Sequence, residues 1–118
     1  MPWLEDRAGL DYLYLTTRGR RTGRPHEVEI WFGAGAETVY LLSGGGDRSD
    51  WVRNLLADPR VTVRIDGERR SGRARRVQDP GEDEMARRLL VDKYAPRYRG
   101  SLDRWGRESL PVAIDLDP

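Results

Sequence analysis

Residues 12–32 read YLYLTT (12–17), RGRRTGRP (18–25) and HEVEIWF (26–32). The first segment is rich in residues that favour strands, and the third alternates between two faces, one of which carries Val28, Ile30 and Phe32. The segment between them contains two glycines and a proline, which is typical of a turn. We therefore expect an antiparallel hairpin near the start of the chain.

Further short strands are predicted along the rest of the chain. Residues 38–43 would add a third strand to an antiparallel meander, and residues 61–65 and 68–77 would form a hairpin around Asp66-Gly67. Residues 110–116 are predicted to be a sixth and last strand. Six short strands joined by hairpins favour a small barrel or curled sheet. A parallel Rossmann sheet is disfavoured because no GxGxxG follows a strand and helices do not alternate regularly with strands.

Two helices are predicted. The first covers residues 51–57, with Ser49 or Asp50 as its N-cap, and Asp58-Pro59 ends it. The second covers residues 82–94 and is amphipathic. Residues 98–107 are predicted to be irregular. The apolar face of the second helix would carry Met85, Leu89, Leu90 and Tyr94. The whole chain, residues 1–118, is thus predicted to be one mainly β (α+β) domain of about six antiparallel strands with two helices.

Composition excludes several classes of function. The 21 Lys+Arg and 20 Asp+Glu leave a formal net charge of +1, which argues against bulk electrostatic binding of nucleic acid. Cysteine is absent and His26 is the only histidine, so no metal site built from these residues is expected. No run approaches the ~18 apolar residues of a membrane span, and the N-terminus has no signal-peptide core. We predict a cytoplasmic protein with a small-molecule substrate.

The turn at residues 18–25, here called the arginine turn, is the first candidate binding site. Four guanidinium groups within seven residues repel one another, and a bound polyanion would remove that cost. Thr22 adds a hydroxyl donor. The alternative is a solvated basic hairpin. The candidate residues are Arg18, Arg20, Arg21, Thr22 and Arg24.

A second candidate is the segment Ser43-Gly44-Gly45-Gly46, here called the glycine loop, which follows a strand and precedes a helix. Its glycines would let a flat ligand approach the backbone closely, and its N–H groups could bind the ligand. Trp51 and Asn54 are interpreted as residues that hold this loop in shape. The alternative is a flexible connector.

Tyr94 and Tyr98 are the third candidate, because two phenols near a helix end can line a pocket and offer protons. The alternative is that the two rings simply pack against apolar neighbours while their hydroxyl groups face the solvent. His26, at a strand start, is assigned no catalytic role. No set of nucleophile, base and orienting group is present, and this favours a reaction carried by a cofactor that the protein positions.

Four segments together resemble the deazaflavin-dependent nitroreductases. They are LTTRGRRTGRP (15–25), VYLLSGGG (39–46), WVRNLLADPRV (51–61) and KYAPRY (93–98), and they occur in order over nearly the whole chain. The resemblance implies a split β-barrel related to FMN-binding split barrels. It also implies hydride transfer from reduced coenzyme F-420 to a quinone, a nitroaromatic or an activated alkene.

The resemblance also implies roles for individual residues. The arginine turn would bind the phosphate and polyglutamate tail of the coenzyme, and the loop Ser43 to Gly46 would lie along the deazaflavin ring. Trp51 and Asn54 would brace that loop, and Arg48 could replace a basic residue that the family carries nearby. Ser43, Tyr94 and Tyr98 would donate hydrogen bonds or protons to the substrate.

Three other interpretations remain open at this stage. The same fold could bind FMN or haem, or the chain could be a non-catalytic carrier of deazaflavin or another amphiphile. A homodimer is also plausible, because the chain is polar and its core is small.

Overall fold

The computed structural model describes residues 3–118. Seven strands and three α-helices make up the fold, with short 3-10 turns between some of them. In chain order they are β1 (Leu13–Arg18), β2 (Pro25–Ile30), β3 (Gly33–Ala34), β4 (Thr38–Ser43), α1 (Asp50–Ala57), β5 (Arg60–Ile65), β6 (Glu68–Arg76), α2 (Pro80–Tyr94), α3 (Asp103–Glu108) and β7 (Leu110–Leu116).

All seven strands belong to one antiparallel sheet in the order β2-β1-β5-β6-β7-β4-β3. The sheet curls into a half-barrel, which confirms the predicted mainly β fold. The hairpin between β5 and β6 turns at Asp66 and Gly67, whose φ angles are 54° and 79°. Two consecutive positive φ angles are typical of the tight turn that Asp-Gly favours.

The main apolar core fills the inside of the curl. Alternate residues of β1 and β5 point into it, among them Leu13, Leu15 and Val63, and α1 closes one end with Val52 and Leu55. A smaller cluster lies on the opposite face of β4 and β7, where α2 covers the sheet. The outer face of β1, β5 and β6 carries polar side chains instead.

The predicted three-strand meander is wrong at its third strand. β2 is an edge strand, and β4 pairs with β7 and β3 instead of β2. The chain leaves the sheet at Phe32 because the Phe32 N–H donates to the Tyr94 hydroxyl (2.9 Å) rather than to a neighbouring strand. Lys93 Nζ donates to the Phe32 carbonyl oxygen (3.0 Å). The end of α2 thus takes the backbone groups that would have continued the meander.

Helix α2 differs in part from its predicted amphipathic pattern. Its buried residues are Ala86, Leu90 and Tyr94, whereas Met85 is exposed. The helix starts at Pro80, and the Asp79 side chain caps it by accepting from the Glu82 N–H (2.8 Å). The cap at the start of α2 therefore adds to the stabilisation that its narrow apolar face provides.

A partly buried network of hydrogen bonds and ion pairs joins α2 to the sheet. Arg75 donates to both carboxylate oxygens of Glu82 (2.7 and 2.8 Å) and to Asp115 (2.8 Å). Glu82 also accepts from the Tyr40 hydroxyl (2.8 Å). The Arg75 guanidinium accordingly lowers the pKa of both carboxyl groups.

The region predicted to be irregular contains the third helix, α3. Gly106 of α3 lies so close to α2 that a Cβ there would approach Val91 Cγ2 to 2.6 Å. The segment has little apolar periodicity, so this close helix contact, rather than an amphipathic pattern, positions it.

Candidate active site

The arginine turn is a compact, self-bonded loop between β1 and β2. Gly19 N donates to the Arg24 carbonyl oxygen (2.7 Å), and Gly23 N donates to the Gly19 carbonyl oxygen (2.8 Å). Gly23 has a φ of 73°, which an L side chain rarely adopts. The Thr22 hydroxyl accepts from the Arg24 N–H (3.2 Å). The turn therefore presents its guanidinium groups from a fixed backbone.

Asn54 of α1 holds this turn in place. Its side chain is 4% exposed, and its Oδ1 accepts from both Arg20 N (3.2 Å) and Arg20 Nη1 (2.8 Å). Its Nδ2 donates to Thr17 Oγ1 (3.3 Å). Arg20 also pairs with Asp50 (3.2 Å). The structure thus corrects the expected role of Asn54, which braces the arginine turn rather than the glycine loop.

A cleft of about 430 Å³ lies between the arginine turn, the start of β2 and α1, and is here called the inner cleft. Five of the predicted cofactor-binding residues line it: Arg20, Arg21, Thr22, Trp51 and Asn54. His26 lines it as well. Its ring lies against Gly19, where a Cβ would meet Nε2 at 2.7 Å and displace the imidazole. The position of His26, directly after the arginine turn, was the available sequence signal.

The glycine loop connects β4 to α1, and the buried Ser43 side chain holds its conformation by hydrogen bonds. Ser43 is 2% exposed, its hydroxyl donates to the Gly46 carbonyl oxygen (2.9 Å), and it lies 3.0 Å from the Ser49 hydroxyl. Ser49 is the N-cap of α1, but its hydroxyl makes no capping bond. A Cβ at Gly45 would lie 2.5 Å from Ser49 Oγ. The backbone of the loop therefore has a fixed conformation, and the hydroxyl of Ser43 is already hydrogen-bonded within the loop.

An aromatic cluster lies on the other side of the glycine loop. Trp31 stacks on Tyr94 with ring centroids 4.2 Å apart and an interplanar angle of 4°. Tyr98 and Trp105 meet Trp31 edge-on, at 6.0 and 5.6 Å. A Cβ at Gly44 would touch the Trp105 indole at 3.6 Å, which places the loop against this cluster.

A second cleft, of about 240 Å³, opens beside these rings and is here called the aromatic cleft. Its lining residues are Tyr12, Glu29, Ile30, Trp31, Leu42 and Trp105. The inner cleft takes residues 26–28 of the edge strand and the aromatic cleft takes residues 29–31, so the two clefts are consecutive along the chain. Leu42 immediately precedes the glycine loop, and the loop leads to Asp50 and Trp51 of the inner cleft. Trp31 and Trp105 were not among the predicted site residues.

The two candidate tyrosines occupy different environments. Tyr94 is 2% exposed, and its hydroxyl bonds the Phe32 backbone and lies 2.8 Å from the Asp11 carbonyl oxygen. Burial raises the pKa of Tyr94 to about 12. Tyr98 is 48% exposed and presents its ring edge-on to Trp31. Of these two tyrosines, Tyr94 has a hydroxyl that is hydrogen-bonded to buried backbone groups, whereas the hydroxyl of Tyr98 is available to a ligand.

The remaining candidate residues lie outside the inner cleft. Arg18 pairs with Asp58 (3.4 Å) and lines a groove on the opposite face of the sheet. Arg24 and Arg48 are exposed. The glycines at 44–46 line neither the inner cleft nor the aromatic cleft.

Comparison with known proteins identifies the family. The profile of the F420H(2)-dependent quinone reductases matches residues 5–117. The chain belongs to this family. A curated F420H(2)-dependent quinone reductase of Mycobacterium tuberculosis is 27% identical over 107 residues, which are 86% of this chain and 70% of that protein. A counterpart in Mycobacterium bovis, named as an inferred F420H(2)-dependent quinone reductase, matches with the same identity and coverage.

Solved structures agree on the fold. An F420-H2 dependent reductase superposes with a TM-score of 0.70 at 23% identity, covering 92% of this chain and 95% of that one. A conserved hypothetical protein of Mycobacterium tuberculosis superposes with a TM-score of 0.77 at 22% identity, covering all of this chain and 82% of that one. A domain-swapped dimer gives 0.71 at 22% identity, covering 92% and 82%.

As a member of the quinone reductase family, the chain is an oxidoreductase that uses coenzyme F-420. The residues present fit that group. The inner cleft offers the guanidinium donors of Arg20 and Arg21 for a phosphate, and the glycine loop offers a backbone surface without side chains. None of the helices in residues 3–118 is long and apolar enough to cross a membrane.

Proposed function

We propose that this reductase transfers hydride to a planar quinone bound in the aromatic cleft. The observation that carries the proposal is that residues 26–28 line the inner cleft and residues 29–31 line the aromatic cleft, so that the two clefts follow one another along the chain. The glycine loop connects Leu42 of the aromatic cleft to Asp50 of the inner cleft. The inner cleft has two arginines, Arg20 and Arg21, beside the carboxylates of Glu27 and Asp50, whereas the aromatic cleft is lined by Tyr12, Trp31 and Trp105. A ligand with an anionic end in the first cleft and a flat ring on the loop would meet a second ring in the other cleft.

The arginine turn would bind the phosphate of the coenzyme. Arg20 is held by Asn54 and Asp50, so its guanidinium enters the cleft from a fixed direction, and Arg21 lines the same cleft. Arginine suits this role because its planar fork of donors matches phosphate oxygens. Pre-organised donors lose less conformational freedom on binding than mobile ones do.

The glycine loop would hold the deazaflavin ring, and Trp51 would border it from α1. The bound reduced deazaflavin supplies the hydride. Ser43 keeps the loop in shape through its bond to the Gly46 carbonyl oxygen, so we propose it as a positioning residue rather than a proton donor. Trp31 and Trp105 would orient the acceptor, because aromatic rings stack on flat π-systems.

We propose Tyr98 as the hydrogen-bond or proton donor to the acceptor oxygen. Its ring already packs edge-on to Trp31, and its exposure leaves the hydroxyl available. Tyr94 is proposed instead to hold the cleft wall, since its hydroxyl is bonded to buried backbone groups.

Removing the hydroxyl group of Tyr98 and removing that of Tyr94 should therefore have different effects. Tyr98→Phe is expected to lower kcat for quinone reduction roughly tenfold to a hundredfold, because a positioned donor contributes at least that much to a proton-coupled step. Its thermal midpoint should stay near the wild type. Tyr94→Phe should lower the free energy of unfolding by about 1–3 kcal/mol, because it leaves the buried Phe32 N–H without an acceptor. Steady-state kinetics measures the expected loss of turnover in Tyr98→Phe, and thermal unfolding measures the expected loss of stability in Tyr94→Phe. Equal kinetic losses in both variants would refute the division of roles.

The cofactor part of the proposal is tested by fluorescence titration. Purified protein is titrated with oxidised coenzyme F-420 and, separately, with FMN, and the experiment is repeated with Arg21→Ala. We expect selective binding of F-420 that Arg21→Ala weakens about tenfold, because a charge-assisted bond to phosphate is lost. Arg88→Ala, on the exposed face of α2, is the matched control.

Turnover then separates the remaining possibilities. Oxidation of reduced F-420 by a quinone, faster than by a nitroaromatic or an activated alkene, would support the acceptor assigned here. Preferential FMN binding would contradict the assignment of the inner cleft. Tight F-420 binding without turnover of any acceptor would support a carrier of deazaflavin and overturn the aromatic cleft as an acceptor site.

A further inference from the structure

The aromatic cleft contains a charge that the proposed function does not use. Among residues 3–118, Glu29 is the one charged side chain that lines this cleft. The other lining residues are apolar or aromatic: Tyr12, Ile30, Trp31, Leu42 and Trp105. An acceptor bound in the aromatic cleft therefore lies beside a carboxylate.

The Tyr14 hydroxyl orients this carboxylate. Tyr14 of β1 lies directly opposite Glu29 of the edge strand β2, and its hydroxyl donates to Glu29 Oε2 (2.7 Å). The bond to a carboxylate raises the pKa of Tyr14, because loss of the phenol proton would place two negative charges side by side. Tyr14 thus fixes the position of the Glu29 side chain and leaves its negative charge in place.

Arg64 lies beside this pair but does not neutralise it. Its guanidinium carbon lies 4.2 Å from the centroid of the Tyr14 ring, and its Nη2 donates to both carboxylate oxygens of Glu27 (3.3 Å each). In the part of the chain from residue 3 to residue 118, Glu29 forms no ion pair. Its charge is therefore available to a ligand in the cleft.

The aromatic lining acts in the same direction as the carboxylate. The faces of aromatic rings attract cations within about 6 Å, and tryptophan does so most strongly. Trp31 and Trp105 lie 5.6 Å apart between ring centroids, and the third ring, Tyr12, is 48% exposed. A carboxylate beside such rings attracts an organic cation and repels an anion of the same shape.

We propose that the aromatic cleft selects acceptors by charge, and that Glu29 is the residue that sets this preference. Planar quinones that carry a positive side group are favoured, and those that carry a negative side group are disfavoured. This inference rests on the proposed function, whose substrate class it narrows. The quinone gains a hydride and a proton and becomes a quinol, which balances the hydride and the proton that leave the reduced coenzyme. The charge of the side group is unchanged, so Glu29 acts on binding of the acceptor.

The test uses three naphthoquinones that share one ring and differ in the side group, which is trimethylammonium, tert-butyl or sulfonate. Their kcat/KM values are measured with reduced F-420 for wild type, Glu29→Gln and Glu37→Gln. We expect Glu29→Gln to lower the ratio of kcat/KM for the cationic over the anionic quinone roughly three- to tenfold, because one attraction and one repulsion are lost. The change should fall mainly on KM.

Glu37→Gln is the charge-matched control. Glu37 is an exposed carboxylate in the turn between β3 and β4 and lines neither the inner cleft nor the aromatic cleft. Its ratio should stay within about twofold of wild type. The bound coenzyme is itself anionic, so the deciding quantity is the change of the ratio between variants and not the preference of wild type alone.

Two further measurements separate charge from shape and from folding. Raising the ionic strength from about 0.01 M to about 1 M shortens the screening length from about 30 Å to about 3 Å, so the wild-type ratio should fall towards that of Glu29→Gln. Glu29→Asp keeps the charge and should keep most of the preference. The thermal midpoint of Glu29→Gln should stay near wild type, because an amide oxygen can still accept from the Tyr14 hydroxyl.

Each other outcome has a definite meaning. An unchanged ratio in Glu29→Gln, or an equal change in Glu37→Gln, would overturn the inference while leaving the proposed function intact. An equal loss of kcat for all three quinones in Glu29→Gln would make Glu29 a general requirement for turnover and overturn selection by charge. Failure of the wild type to reduce any of the three would remove the proposed function itself, and the selection of acceptors with it.

Discussion

Replacing Asn54 with leucine is expected to weaken binding of coenzyme F-420 by about two orders of magnitude. The change keeps the side-chain volume but removes the acceptor for Arg20 N and Arg20 Nη1 and the donor to Thr17. Groups left without partners in a buried site cost about 1–3 kcal/mol each, so a loss of roughly 2–4 kcal/mol is expected. That loss falls on the arginine turn, because Asn54 is the buried residue of α1 that bonds the turn, whereas the Arg20–Asp50 pair is exposed.

Two further variants separate binding from stability. Asn54→Asp keeps an oxygen acceptor for Arg20 while placing a negative charge beside it, so it should weaken binding with a smaller loss of stability. Leu56→Ala, at an exposed position on the same helix, should leave both unchanged. Fluorescence titration well below the thermal midpoint of each variant provides the comparison. Wild-type affinity in Asn54→Leu, despite a lower midpoint, would show that Asn54 contributes only to folding.

Local patterns predicted those elements that local forces determine. The β1–β2 hairpin follows from alternating segments around a glycine-rich turn, and the β5–β6 hairpin follows from Asp66-Gly67. The end of α1 follows from Asp58-Pro59. In each case the deciding residues lie within a few positions of one another, where backbone preferences act directly.

The elements that were wrong depend on distant partners. β4 leaves the meander because a hydroxyl 62 residues away bonds the Phe32 N–H, and no nearby pattern signals that contact. Helix α3 is positioned by a close approach to Val91 rather than by its own periodicity. Met85 is exposed because the apolar stripe of α2 is narrower than its sequence indicates.

The candidate site divides in the same way. The arginine turn and the glycine loop could be predicted as candidate sites because their residue types carry chemistry within a short segment. Tyr94 and Tyr98 of the aromatic cluster were predicted, but Trp31 and Trp105 were not, because these two lie 74 positions apart and meet only after folding. The role of Asn54 was assigned to the nearer loop in sequence, whereas its bonds reach residues 34 and 37 positions away.

Trp31→Leu should produce the largest loss of quinone turnover, a fall in kcat/KM of about a hundredfold. Trp31 is the one ring that contacts the other three, at 4.2, 6.0 and 5.6 Å, so its removal leaves Tyr98 and Trp105 without their common support. Each aromatic pair contributes about 0.5–1.5 kcal/mol, and the acceptor would lose a stacking surface as well. Together these terms amount to roughly 3 kcal/mol, or about a hundredfold in rate.

The decisive measurement is the split between cofactor binding and acceptor turnover. Because Trp31 lines the aromatic cleft and not the inner cleft, the affinity for F-420 in Trp31→Leu should stay within about threefold of wild type. Trp31→Phe should recover part of the activity, since it restores a ring. Trp3→Leu is the matched control, because Trp3 packs between Arg7 and Arg70 away from both clefts. Parallel losses of cofactor affinity and turnover in Trp31→Leu would mean that the cluster supports the fold as a whole and does not select the acceptor.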